Sequence, residues 1–289
     1  MKDYTEADRG RDAEAPQEIP AKGLRDVFWR VIKAIMADRV TLIAAGVTYF
    51  MLLSLFPALG ALVALYGFVA DPTAIMAHIS FLAGIFPPGS FDLILNQLTS
   101  LTQQATSTRS LAFFGGLLVA IWSANSGMKA LFDAMNVAYR EDEKRGIVRL
   151  NLLSLGFTFC ALLVAIVLIV AIGILPAVLT YFWLEDWQEL LARLARWPFI
   201  ILVFGSGISM IYRYGPSREH AKLKWLSWGV VFSTLLWLVA SVLFSFYLEN
   251  FANYNATYGT LGALIGLMVW VWISVVILIV GAEINAELE

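Results

Sequence analysis

One cysteine stands in the whole chain, Cys160, and it lies inside an apolar run. A single cysteine closes no internal disulfide and supplies no thiolate cluster for a metal. Histidine is almost as scarce. His78 and His220 fall in different connecting segments, so no paired-histidine metal motif is present. Charged residues make up only 15% of the chain, against about 25% in an average soluble domain. The net charge of -2 gives no reason to expect a nucleic-acid partner. A Gly-rich phosphate loop and an HExxH motif are also missing. Acidic clusters at 141–143 and 185–189 sit in connecting segments and read as solvated charge. No catalytic residue, metal or cofactor is expected, and the chain is not expected to be an enzyme. Met1–Pro20 has no apolar core, so it is not expected to act as a secretory signal.

What the chain has in abundance is apolar sequence, 60% of its 289 residues. Soluble domains hold about 45–50%. The excess is gathered into six long segments: Thr41–Val69, Leu111–Tyr139, Leu150–Trp183, Leu190–Tyr214, Trp225–Phe251 and Tyr258–Ala286. Each exceeds the roughly 20 residues that a helix needs to cross a bilayer core. A membrane barrel would show short alternating segments of about 10 residues instead. The fold class read from this pattern is an all-α membrane bundle of six transmembrane helices. Polar residues enter the second and fourth segments, which makes them the least uniform of the six.

Residues 1–23 read as a flexible tail, and 24–289 as one membrane domain. Leu24, Val27, Phe28, Val31 and Ile35 recur at helical spacing, with Arg25, Arg30 and Lys33 largely opposite. That pattern predicts an amphipathic helix lying on the membrane surface. In the long connection at 71–110, Phe91, Ile94, Leu95, Leu98 and Leu101 predict a second amphipathic helix. Pro87 and Pro88 separate it from a shorter helix near residues 73–85. Of the twenty Lys and Arg residues, sixteen lie before the first span or in the second–third and fourth–fifth connections. Three, Arg109, Arg193 and Arg196, lie on the other side, and Lys129 lies within a span. The asymmetry places both termini in the cytoplasm.

The second span is the most informative. Trp122, Asn125, Ser126, Lys129, Asp133, Asn136 and Arg140 share one face at about 100° per residue. A polar stripe facing lipid is costly, so it should face protein or water. In one reading Lys129 snorkels to the interface and pairs with Asp133. In the other the stripe lines a cytoplasm-facing vestibule, with Asn125 deepest. In the first span, Pro57 frees the carbonyl of Leu53, and Ser54 is a candidate to satisfy it. Thr48 and Tyr49 add polar atoms there. Gly259, Gly262 and Gly266 at the start of the sixth span predict close helix packing. Glu283, near its end, is either solvated or a partner for Lys129 or Arg140.

Four segments together resemble the YihY/BrkB family of membrane proteins: AAGVTYFMLLSLFPAL at 44–59, IWSANSGMKALFDAMNVAY at 121–139, YRYGP at 212–216, and the stretch from 255 to 289. The resemblance covers nearly all of the chain from residue 24. It implies a bacterial inner-membrane protein with six helices and no established activity, connected with the cell envelope and, in some members, with virulence. Some members carry the label ribonuclease BN, which reads as a misnomer because no acid–base or metal set is visible here. The leading expectation is a protein that translocates or handles an amphiphilic envelope component, such as a lipid. Thr48, Tyr49, Asn125, Lys129, Asp133 and Glu283 would form its site, with Asp133 and Glu283 holding Lys129. The alternatives are a non-transporting scaffold and, last, an enzyme acting on lipid. Membrane lipids are the expected partners, nucleic acid is not, and a homo-oligomer stays open.

Overall fold

A computed structural model of the chain describes residues 18–66, 90–104, 111–180, 186–218, 223–250 and 262–288. The described residues form helices: α1 (Ala21–Ala37), α2 (Val40–Tyr66), α3 (Ser90–Gln104), α4 (Leu111–Ala138), α5 (Ile147–Thr180), α6 (Asp186–Tyr214), α7 (Leu223–Asn250) and α8 (Gly262–Leu288). No strand occurs among them. The expected short helix near 73–85, Gly259, and residues 1–17 of the expected tail lie outside the described residues.

Among the described residues, four stretches are long and apolar enough to cross a membrane: α2, residues 147–169 of α5, residues 228–248 of α7, and α8. Only 22–28% of each apolar stretch is buried inside the bundle. Helices that keep their backbone bonds internal can leave such surfaces to lipid. Helices α4 and α6 have comparable length but stand outside these four, and in α4 the polar stripe dilutes the apolar character.

Two large cores and a smaller one hold the described residues together. The first joins Val40, Ala44 and Val47 of α2 with Leu131, Ala134, Met135 and Ala138 of α4. Ile208 and Tyr212 of α6 and Val275, Ile279 and Ala282 of α8 complete it. The second packs Leu59, Leu62, Val63 and Tyr66 of α2 against Ile94 and Leu98 of α3 and Leu162, Ile166 and Ile169 of α5. Helix α3 therefore covers one end of the bundle.

Helix α1 departs from a single apolar side. Val27 and Val31 turn inward onto Ile284 and Leu288 of α8. Leu24 and Phe28, from the same sequence pattern, are exposed together with Trp29 and Met36. The apolar arc of α1 is wide enough to serve two surroundings at once.

Among the described glycines with a stated Cβ environment, the crowded approaches lie elsewhere than Gly266. Gly262 and Gly266 are buried, but a Cβ on Gly266 would meet Leu248 Cδ1 at an ordinary 3.6 Å. The crowded crossing lies at Gly229 of α7 and Gly281 of α8. A Cβ on Gly229 would collide with the Gly281 carbonyl and with Asn285, and one on Gly281 would collide with Ser233. Helices α2 and α4 approach closely at Gly127, where a Cβ would stand 2.6 Å from Ser54 Oγ.

Helix α4 ends in a Schellman motif. Glu141 N–H donates to Asn136 O at 2.8 Å and Arg140 N–H to Val137 O at 2.9 Å. Arg140 occupies the left-handed position, φ 53°, where glycine is the usual residue. Its side chain offers a compensation, because Arg140 Nη2 reaches Glu287 Oε1 at 2.7 Å.

Candidate functional site

The polar stripe of α4 meets a second polar row, on α5. Asn151, Ser154 and Thr158 recur on α5 at spacings of three and four, which puts them on one face. Together the two rows form a polar seam between α4 and α5. Deep in it, the Thr158 hydroxyl shares its one proton between Ser154 O at 2.9 Å and Asn125 Oδ1 at 3.3 Å. Asn125 is fully buried, and its amide nitrogen has no partner. Ser154, also fully buried, returns its hydroxyl to Leu150 O at 2.8 Å. Ser126 does likewise to Ser123 O at 2.9 Å.

One turn along α4 the seam opens. Lys129, half-buried, donates to Asn151 Oδ1 at 3.1 Å. Its ammonium lies 5.7 Å from the ring centre of the exposed Trp122. Asp133 is exposed and feels the Lys129 charge, with no direct hydrogen bond between the two side chains. The hydrogen bond of Lys129 thus goes to α5, while Asp133, the partner expected from sequence, interacts with it through charge alone. Asn151 is nearer in geometry and is itself fixed by its bond to Ile147 O at 2.8 Å.

Beyond Asp133 the stripe turns from seam to clasp. Asn136, 6% exposed, accepts from Ser217 N–H at 2.7 Å and donates to Glu143 Oε2 at 3.0 Å. Lys144 N–H donates to Ser217 Oγ at 3.0 Å. Arg145 pairs with Glu143 at 2.6 Å and donates to the carbonyls of Tyr214 and Gly215 at 3.0 and 2.7 Å. The last carbonyls of α6 thereby receive the donors that helix ends need. Arg218 lies 4.1 Å from the ring centre of Tyr139. The hydrogen bonds from Arg145, followed by that from Asn136, hold the Glu143 carboxyl well below its ordinary range, at about 2, against a smaller opposing effect of burial. The YRYGP segment and the end of α4 form one interlocked junction here. Tyr212, buried in the first core, ties three helices. Its hydroxyl donates to Leu278 O of α8 at 2.7 Å and lies 2.7 Å from Ser233 Oγ of α7.

The remaining sequence candidates separate. Thr48 is buried and bonds back to Ala44 O at 2.7 Å, while Tyr49 is exposed and packs edge-on against Phe50. Pro57 lies inside a helix that runs on to Tyr66. Ser54 does not serve the freed Leu53 carbonyl, since its hydroxyl donates to Met51 O at 2.9 Å. Glu283 is fully buried. Its charged neighbours are Asp38, Arg140 and Glu287, so the expected grouping of Lys129 with Glu283 is not assembled. Among the described residues no three His, Cys, Asp or Glu side chains converge as a metal site.

Comparison with known proteins adds a second line of observation. The family model described as Virulence factor BrkB matches residues 31–289. A ribonuclease-like protein of Bacillus subtilis (strain 168), YfkH, is 34% identical over 258 residues, covering 85% of this chain and 89% of that protein. A UPF0761 membrane protein of Alteromonas mediterranea is 25% identical over 283 residues, covering 93% and 89%. One from Tolumonas auensis is 24% identical over 272 residues, covering 90% and 83%. No solved structure matches the chain.

Proposed function

This chain belongs to the Virulence factor BrkB family of membrane proteins, and from that premise we propose that it binds the headgroup of an amphiphilic envelope component where the α4–α5 seam opens. The observation that carries the reading is Lys129. A lysine inside a helix of this apolar bundle is costly unless it has a purpose or a partner. Here it has one neutral partner, Asn151, and keeps donor capacity toward the open side, where Trp122 and Asp133 are exposed. An ammonium beside an exposed tryptophan suits a ligand with an anionic head and an apolar tail.

The setting we propose is a six-span protein of the bacterial inner membrane with both termini in the cytoplasm. Helix α4, at 28 residues, is about 42 Å long, enough to span a core of about 30 Å. Residues 24–37 would lie at the membrane surface, with Leu24, Phe28 and Trp29 entering the interface. Nuclease or lipid-cleaving chemistry is not part of the proposal. The convergent charges, Glu143 with Arg145 and Glu287 with Arg30 and Arg140, hold helix ends together.

The test uses purified protein in liposomes with photoreactive anionic and zwitterionic lipid analogues. Anionic analogues should crosslink near α4 and α5, and Lys129→Ala should remove most of that signal. If Lys129→Ala and Asp133→Ala both bind and transport like wild type, the site is misassigned. A scaffold is the second reading, and the filled parts of the stripe favour it: Asn125 meets Thr158, and Asn136 meets Ser217 and Glu143. A scaffold predicts no headgroup-dependent crosslinking and a stable protein partner recovered with the wild type.

A further inference from the structure

Where the first and last helices meet, the structure holds an arrangement that the α4–α5 seam does not explain. Glu283 of α8 is fully buried, and neither carboxylate oxygen has a hydrogen-bond partner. Asp38, at the α1–α2 junction, lies within hydrogen-bonding reach of it, and its Oδ2 is likewise buried and without a partner. Three buried acceptor oxygens on two neighbouring carboxyl groups thus have no hydrogen-bond donor. Two ionised carboxylates cannot rest in that geometry, since each lacks solvation and repels the other.

The neighbouring cations do not resolve it. Arg140 attracts Glu283, but its guanidinium is bonded to Glu287 at 2.7 Å. Arg30 is bonded to the same Glu287 at 2.8 Å. Arg39, next in the junction, is exposed. Tyr212 of α6 directs its hydroxyl to Leu278 O, and Tyr139, just past the end of α4, carries a second hydroxyl near that of Tyr212. A divalent metal is a poor fit, because Ca2+ takes about 6–8 oxygen ligands and Mg2+ demands an octahedron.

We infer that Asp38 and Glu283 form a proton site, in which one proton held between the two carboxyl groups fastens the α1–α2 junction to the end of α8. One neutral carboxyl then donates to the other, and the pair carries a single charge that Arg140 can balance. Loss of the proton restores the repulsion and loosens α1 from α8. The folded pair binds a proton that the unfolded chain releases, so its contribution to stability is full at acid pH and declines as pH rises.

The experiment is thermal unfolding of the full chain in nanodiscs across roughly pH 5 to 9. While only the folded pair holds the proton, wild type should lose about 2–4 °C in Tm per pH unit beyond the slope of Asp38→Asn and Glu283→Gln. Each amide variant supplies the missing donor permanently and should flatten the curve. Identical slopes in wild type and both variants overturn the inference. So does a wild type whose Tm at fixed alkaline pH is restored by sodium ion, since the occupant is then a metal cation. Infrared spectra of wild type keep the test decisive if the variants fail to fold. A neutral-carboxyl C=O band should be present at neutral pH and fade with rising pH, and its absence at neutral pH overturns the proton site.

Discussion

Arg140 shows how one residue can hold an unfavourable backbone for the sake of a contact. Its left-handed φ of 53° suits glycine better, yet only a long cation reaches Glu287 from there. Arg140→Gly should therefore be close to neutral in stability, trading relief of strain against a lost pair. Arg140→Val should cost about 1–3 kcal/mol, because a β-branched residue resists that conformation and brings no charge. Denaturation of the two variants side by side checks this. Glu143 makes a second prediction at the same scale. Its carboxyl is held at about 2 rather than 4.5 by Arg145 and Asn136. A depressed acid contributes stability that is complete above its unfolded value and lost as pH falls through the folded one. The clasp should survive to roughly pH 3, read by hydrogen exchange at the Lys144 and Ser217 amides. Arg145→Met should return the Glu143 titration toward its ordinary range and release the clasp at milder acidity.

Helices α4 and α5 act as a pair because each carries a polar row in an otherwise apolar surface. The apolar environment makes an unmatched polar group costly, so the rows find each other. Thr158→Val keeps the shape of the side chain but removes the hydroxyl shared between Ser154 O and Asn125, whose amide nitrogen already lacks a partner. That change should cost about 1–3 kcal/mol. The double variant Thr158→Val with Asn125→Leu should cost less than the sum of the singles, since no buried polar atom is left over. Additive losses would show that the two residues do not depend on each other. Asn151→Ala acts at the mouth of the same seam. It should free the Lys129 ammonium and shift headgroup crosslinking without unfolding the bundle.

The bundle as a whole presents its apolar residues outward as well as inward. Phe50, Leu53, Phe56, Leu118, Val119, Val164, Val167, Val239 and Val242 are all exposed, which suits a protein whose solvent is lipid. Cys160 is exposed on α5, inside one of the apolar stretches. As the sole cysteine of the chain, it should react with a membrane-permeant maleimide in proteoliposomes and resist a charged, impermeant one. Rapid reaction with the impermeant reagent would place that part of α5 in water. In a Cys160→Ser background, single cysteines at Lys22 and Glu289 should label from the same side of the membrane if the number of spans is even.

The long apolar runs determined, without help from tertiary structure, that the chain is helical and belongs in a membrane. Hydrophobic length and internal hydrogen bonding leave no other state for such segments. Periodicity also showed that α4 has a polar face. It could not say what that face meets, because a face is a property of one helix and a seam is a property of two. Asn151 for Lys129, Thr158 for Asn125 and Ser217 for Asn136 are separated in sequence by 22, 33 and 81 residues. Only packing chose among the available partners. The same holds at the crowded glycines. Gly229 and Gly281 lie on different helices, and nothing in either local sequence marks them above Gly262 and Gly266. The burial of Glu283 beside Asp38 was likewise decided by the fold, when α1 docked on α8 and closed two acidic residues against each other.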